Sequence, residues 1–330
     1  MNPSPSPFPL FHIAPTPNSH LGAFASSPIL KGMTVLLDTP LFTLDAPFQA
    51  YLYQRVQRGA SGPTPIEGEE EEEGNVPPTL EEWFEKQIQR SLVNNESTEG
   101  SKRSLSPNLT SPFPNPSRTP TEINQFYTLS NMHPSQPRAY AIFLTNAVSL
   151  SESTTGGLFP LLSRFNSSCR PNLSRPHWSS KTRKMQLIAV RDIEEGEELV
   201  WPYLGIPFEF DSPQSRRAQL KQIFGFDCAC RACTEWTPPS TDNNADATLA
   251  EPSPKLKASE ARLRELRRLK QMIDMGGQRV LRKMQQISQE EGLWEMSDRL
   301  GFEANRVGRG EERRGWDHDS NLHEDEEKRR

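Results

Sequence analysis

Three cysteines fall within six residues, Cys228-Ala229-Cys230-Arg231-Ala232-Cys233, and the chain contains one other, Cys169. No feature of the sequence restricts the fold more. A closed tetrahedral zinc site needs four donors and leaves no coordination position open. If the triplet holds an ion, the fourth ligand is Cys169, about sixty residues upstream, and two distant segments are fastened together. Binding of that kind contributes directly to folding. The residues alone also admit three unrelated buried thiols, or disulfides formed in an oxidised sample. The close spacing and the lack of a left-over cysteine favour the metal. Met1–Leu10 is rich in Pro and Ser and lacks a basic start followed by a long apolar run, so no leader is readable. The longest apolar run, near Val35–Leu37, is far too short to span a membrane. Both features predict an intracellular protein, nuclear or cytoplasmic, where thiols stay reduced.

Hydrophobic residues make up 34% of the 330, and the 30 prolines are clustered, so only part of the chain is expected to pack into a core. Residues 1–58 form a first segment in which 8–45 reads as β. Ile29-Leu30-Lys31-Gly32 signals a turn, Met33–Leu37 and Leu41–Leu44 read as short strands, and 46–58 reads as helical. Residues 59–120 form an acidic and Pro-rich insert containing the run Glu69–Glu73. Within it Leu80–Leu92 reads as a short amphipathic helix with Trp83, Phe84 and Ile88 on one face. Residues 121–150 carry a helical pattern through Ile142, Phe143 and Val148, and Gly156-Gly157 reads as a break. In 121–210, Met185–Val190 and Glu198–Tyr203 read as a hairpin-like pair of strands joined through Asp192–Gly196. Residues 211–236 hold a helix over Arg216–Phe224 and the cysteine triplet. Residues 253–300 read as a basic helical segment starting at Ser253-Pro254, with Leu263, Leu266, Leu269 and Ile273 along one stripe. From Gly301 to 330 the sequence is charged and aperiodic and reads as disordered.

Arg164-Phe165-Asn166-Ser167-Ser168-Cys169-Arg170-Pro171-Asn172 would, alone, be a polar turn between strands. Its Asn166–Asn172 part resembles the Asn-His-Ser-Cys-x-Pro-Asn segment of SET domains. Ala189-Val190-Arg191-Asp192-Ile193, Gly196-Glu197-Glu198-Leu199 and Tyr203 resemble a second stretch of that family. Arg216-Arg217, Leu220, Phe224-Gly225-Phe226 and the triplet resemble its post-SET zinc segment, and Leu21–Ala25 with Ile29–Gly32 resemble its opening strands. Ile142–Asn146 is similar to a helix end of the fungal SET-and-MYND-like branch. No cysteine precedes Cys169, so the MYND module of that branch is expected to be absent, with the 59–120 insert in its place. The family's histidine is Ser167 here, its first opening glycine is His20, and Trp201-Pro202 before Tyr203 is unusual.

The resemblance implies a SET-domain β-fold, mainly β with α: a pseudo-knot of short sheets with a helical insert and a C-terminal helical segment. It implies a protein-lysine methyltransferase using S-adenosylmethionine, with one structural zinc. Tyr203 would be the catalytic tyrosine; the alternative is a packing tyrosine with one bonded hydroxyl. Gly22, Ala23, Asn166 and Ser167 would contact the cofactor. Phe226 would wall the lysine channel, or simply pack against the zinc loop. Cys169, Cys228, Cys230 and Cys233 would hold the zinc. The expected partner is a lysine-bearing protein, histone or not, with no membrane and no direct nucleic-acid binding. The other function to weigh is a degenerate SET fold that binds partners without catalysis.

Overall fold

A computed structural model describes residues 9–16, 21–45, 120–150, 155–234 and 254–311. The expected helices at 46–58 and 80–92, nearly all of the 59–120 insert and residues 312–330 lie outside the described residues.

Among the described residues, ten short strands are arranged in three small sheets. In the first, β1 (Phe11–Ala14) pairs antiparallel with β2 (Gly22–Ala25). The last strand in sequence, β10 (Glu198–Trp201), lies antiparallel to β2 and parallel to the two-residue β7 (Asn166–Ser167). The second sheet has β9 (Lys184–Ile188) between β3 (Thr34–Asp38) and β8 (His177–Ser179). The third has β6 (Thr155–Leu158) between β4 (Phe42–Asp45) and β5 (Ala147–Ser149). The inward faces of the first two sheets share one core with Ile29, Phe165, Leu173, Leu187, Ile193 and Leu199, all at most 2% exposed. Small residues on β2, Ala23 and Ala25, let these strands approach that core closely.

Two expectations about this region are corrected. Met185–Val190 and Glu198–Tyr203 do not form a hairpin: β9 pairs with β3 and β8, whereas β10 belongs to the other sheet. The connection has a buried anchor of its own. Ile193 exchanges backbone hydrogen bonds with Ile29, at 2.9 and 2.8 Å, and so carries the chain from one sheet to the other. Gly156-Gly157 is not a break but the middle of β6. A Cβ on Gly157 would lie 2.7 Å from the Phe159 ring and 3.1 Å from Leu150, so the glycine lets two apolar side chains cover the strand. The helical pattern of 121–150 resolves into α1 (Pro120–Tyr127) and α2 (Arg138–Asn146), with Val148 in β5.

After β10 comes α3 (Pro213–Phe224). Ser212 caps it by accepting from the Ser215 amide, and Pro213 fits its first turn. It ends at Gly225, whose φ of 77° is the left-handed turn that suits glycine. The chain thus reverses into the one-turn α4 (Arg231–Thr234), which carries Cys233.

Three helices then pack on one another: α5 (Pro254–Gln271), α6 (Ile273–Glu290) and α7 (Trp294–Gly308). Leu266, Leu269, Leu281, Met284 and Leu300 form their core with Phe210 of the preceding segment. The expected disorder is corrected for 301–308 alone, because Gly301 is buried inside α7, which runs to Gly308. A Cβ on Gly301 would lie 2.4 Å from the Gln285 amide, so this glycine permits close helix–helix approach and does not break the helix. Ion pairs tie this unit to the β core. Glu291, with a side chain 4% exposed, binds Arg170, and Arg262 at 2.8 Å. Arg175 binds Glu209 at 2.6 Å and Glu295 at 2.9 Å, and Lys31 binds Asp298 at 2.8 Å.

Candidate functional site

The parallel pairing of β7 with β10 builds the site. Before β7, the buried carboxylate of Asp38 accepts from the amides of Leu161 and Leu162, both at 2.9 Å, and fixes the 3-10 turn Leu162–Arg164. Asn166 then lies opposite Val200, and Ser167 opposite Trp201. Two residues past Trp201, the Tyr203 amide donates to Ser167 Oγ at 3.2 Å, and the Tyr203 hydroxyl donates to the Phe165 carbonyl at 2.8 Å. Rings close around the tyrosine: Trp201 with centroids at 4.6 Å, Phe224 at 5.3 Å and Phe226 edge-on at 6.2 Å. Burial, and then the Glu198 carboxylate, push the Tyr203 pKa well above its ordinary value, so the phenol stays protonated.

Asn166 donates through Nδ2 twice, to the Leu21 carbonyl at 3.1 Å and to Glu198 Oε1 at 2.8 Å. Both partners are acceptors here, which fixes which end of the amide faces them. Its Oδ1 takes no hydrogen bond among the described residues and is left as an acceptor. Gly22 lies against the same pair: a Cβ on it would come 2.8 Å from Glu198 Oε1, 3.0 Å from Asn166 Nδ2 and 2.6 Å from Thr16. The loop beyond is held by Asn172, 1% exposed, which accepts from the Val200 amide at 2.9 Å and donates to the Glu198 carbonyl at 2.8 Å. The expected set Gly22, Ala23, Asn166, Ser167, Tyr203 and Phe226 therefore spans β2, β7, the end of β10 and the segment after α3.

The four cysteines converge. Their sulfurs all lie within 4.8 Å of one another, with Cys169 and Cys233 at 3.6 Å. A disulfide would need about 2.05 Å, and all four are free thiols. Zn–S bonds of about 2.3 Å in a tetrahedron set the sulfurs about 3.8 Å apart, so this cluster could hold a metal ion. Without an ion the four thiols share protons unequally. Hydrogen bonding from Cys228 first, and also from Cys233, draws Cys169 down to about 7, and Cys169 first among its neighbours draws Cys230 down. Cys228 and Cys233 are pushed up, both chiefly by Cys169. Four sulfurs this close cannot all be thiolates without a cation among them.

A cavity of about 30 Å³ lies beside the cluster, its lining including Ser167, Cys169, Tyr203, Arg216, Leu293 and Trp294. Sequence reasoning did not single out Glu198, Arg216 or Phe224 as site residues. Glu198 and Arg216 lie 32 and 47 residues in sequence from the Asn166–Cys169 segment they meet. The only signal was their place within motifs already noted.

A family model described as the SET domain matches residues 20–204, more than half the chain. Over 118 residues the chain is 36% identical to histone-lysine N-methyltransferase set5 of Schizosaccharomyces pombe, covering 36% of this chain and 35% of that protein. Over 81 residues it is 41% identical to histone-lysine N-methyltransferase SMYD3 of Homo sapiens, covering 23% and 17%. Over 77 residues it is 38% identical to the potential protein lysine methyltransferase SET6 of Saccharomyces cerevisiae, covering 23% and 19%. The matched stretch thus spans about a third of the first relative's length and less than a fifth of the other two.

Proposed function

The chain belongs to the SET-domain family, and from that premise we propose that it is an S-adenosylmethionine-dependent protein-lysine N-methyltransferase. The observation that carries this reading is the placement of Tyr203. Parallel pairing of β7 with β10 sets it against Asn166-Ser167, while Phe224 and Phe226, on the segment leading to the cysteines, close over it. The names of the relatives supply the acceptor, a protein lysine, and for two of the three quoted above a histone lysine. The proposed substrate is accordingly a histone or another lysine-bearing protein, met in the nucleus or cytoplasm. No described helix is long and apolar enough to cross a membrane.

When bound, S-adenosylmethionine supplies a methyl group on a positive sulfonium. The uncommitted Asn166 Oδ1 suits the ammonium of such a cofactor, and the Gly22 and Ala23 backbone offers a close approach. Ser167 presents only a hydroxyl, already turned to the Tyr203 amide. The incoming lysine, with an ordinary pKa of about 10.4, must be neutral to react. The apolar wall that includes Phe226 disfavours its charged form. Tyr203 keeps its proton and donates it in a hydrogen bond to the Phe165 carbonyl, which leaves its oxygen lone pairs to orient the amine. Most of the rate gain is then positioning. Cys169, Cys228, Cys230 and Cys233 would hold one zinc, which fixes the segment carrying Phe226.

The test is methyl transfer from labelled S-adenosylmethionine to a lysine-peptide and histone array, with wild type and Tyr203→Phe side by side. Wild type is expected to label, and the variant to lose about 100-fold. Equal background from both would sink the enzyme reading. A second reading, a SET fold that binds partners without catalysis, draws support from Gly22: the space its missing Cβ leaves is taken by Thr16, Glu198 and Asn166. Calorimetry separates the two, because the binding module takes up no S-adenosylmethionine.

A further inference from the structure

We propose that Arg216 is the outer-sphere cation of the four-cysteine centre, its guanidinium donating to the Cys169 thiolate when a divalent ion is held there. This rests on the zinc reading above. Arg216 is 2% exposed, and arginine is almost never so buried unless its charge is paired. Its Nη1 donates to the Asp211 carbonyl. Nε and Nη2 are also buried and meet no hydrogen-bond partner. A backbone carbonyl carries no net charge, so the cation is left with two spare donors in an enclosed place, a costly arrangement unless an anion stands close by.

The anion is the sulfur cluster. Arg216 and Cys169 line the same cavity. Cys169, Cys233 and Cys230 are charged neighbours of the guanidinium. Four thiolates around a divalent ion leave two negative charges, and one guanidinium offsets half of that. Arg170, next to Cys169 in sequence, is already committed to the Cys169 carbonyl and to Glu291. The backbone explains how Arg216 is aimed. Ser212 and Pro213 fix the start of α3 with Arg216 in its first turn, and the reversal at Gly225 brings the triplet back toward that end. Residues that donate to metal ligands in this way commonly change metal affinity by about 10- to 100-fold when replaced.

The experiment uses the full chain purified with zinc, and Arg216→Met and Arg216→Lys. The first readout is the rate of zinc release to a colorimetric chelator in native buffer. The second is the thiolate-to-metal charge-transfer band after cobalt replaces zinc, which reports donation to a sulfur and does not respond to loss of helix stability alone. Release is expected to quicken about tenfold in Arg216→Met, with a shifted cobalt band, and Arg216→Lys is expected to recover part of both. If Arg216→Met does not fold, Arg216→Lys carries the test. Wild-type release rate and an unmoved band in the folded variants would overturn the assignment of Arg216. Wild type that takes up neither zinc nor cobalt would instead overturn the metal reading itself, and the proposal with it.

Discussion

Glu291→Gln should loosen the joint between the C-terminal helices and the cysteine-bearing loop. Glu291 has a side chain 4% exposed and faces Arg170, Arg262 and Ser259 at once. Glutamine keeps the shape but removes the charge and one acceptor oxygen. Each charge-assisted hydrogen bond is worth about 1.5–3 kcal/mol. The two arginines are 17% and 29% exposed, so water recovers part of what they lose. A net destabilisation of about 2–3 kcal/mol follows, below the 3–5 typical of a fully buried broken pair. Arg170 also donates to the Cys169 carbonyl, so the disturbance should reach the sulfur cluster. The assay is urea unfolding followed by circular dichroism for wild type, Glu291→Gln, Arg170→Met and the double variant. The double-mutant cycle should return a coupling of about 1 kcal/mol or more. Additive effects, or a Glu291→Gln protein within about 0.5 kcal/mol of wild type, would refute the claim that this carboxylate joins the two units.

The same group sets an acid limit. Burial would raise the Glu291 pKa, but Arg170, Ser259 and Arg262 hold it below the ordinary carboxylate value. Its contribution is therefore complete above the unfolded value near 4.5 and is lost as pH falls through the lower folded one, so acid unfolding of Glu291→Gln should be shallower across that window. Gly157→Ala should cost about 1–3 kcal/mol in thermal or urea unfolding, because its Cβ meets a buried ring and a leucine. Gly301→Ala should cost less than about 1 kcal/mol, since the neighbour is the mobile end of Gln285 and alanine favours helix. Chelator treatment, or Cys169→Ser, should lower the melting temperature and abolish stoichiometric zinc. An unchanged melting curve after complete chelation would mean the cysteines stabilise the fold without an ion.

How far this fold could be read in advance depended on whether a residue's partner was near in sequence or fixed by chemistry. The cysteine cluster was legible because thiols with that spacing have few other uses, and the structure brings Cys169 to the triplet. Asn166 and Tyr203 were legible only through ordered motifs. What brings them together is a parallel two-residue strand pairing, and no local pattern encodes a pairing across 34 residues. Periodicity failed where glycine serves packing: Gly157 and Gly301 look like punctuation in the sequence but permit close approach inside β6 and α7. The supposed hairpin failed because adjacent strands need not pair when a buried residue such as Ile193 anchors the connection elsewhere.

The polar residues hidden behind the motifs give the site its order. Glu198 takes one Asn166 donor and the Leu21 carbonyl the other, so these two acceptors together leave Oδ1 as the uncommitted atom of that amide. The same carboxylate helps keep the Tyr203 phenol protonated. Glu198 thus acts on both residues that sequence motifs single out, by a hydrogen bond on Asn166 and by its charge on Tyr203.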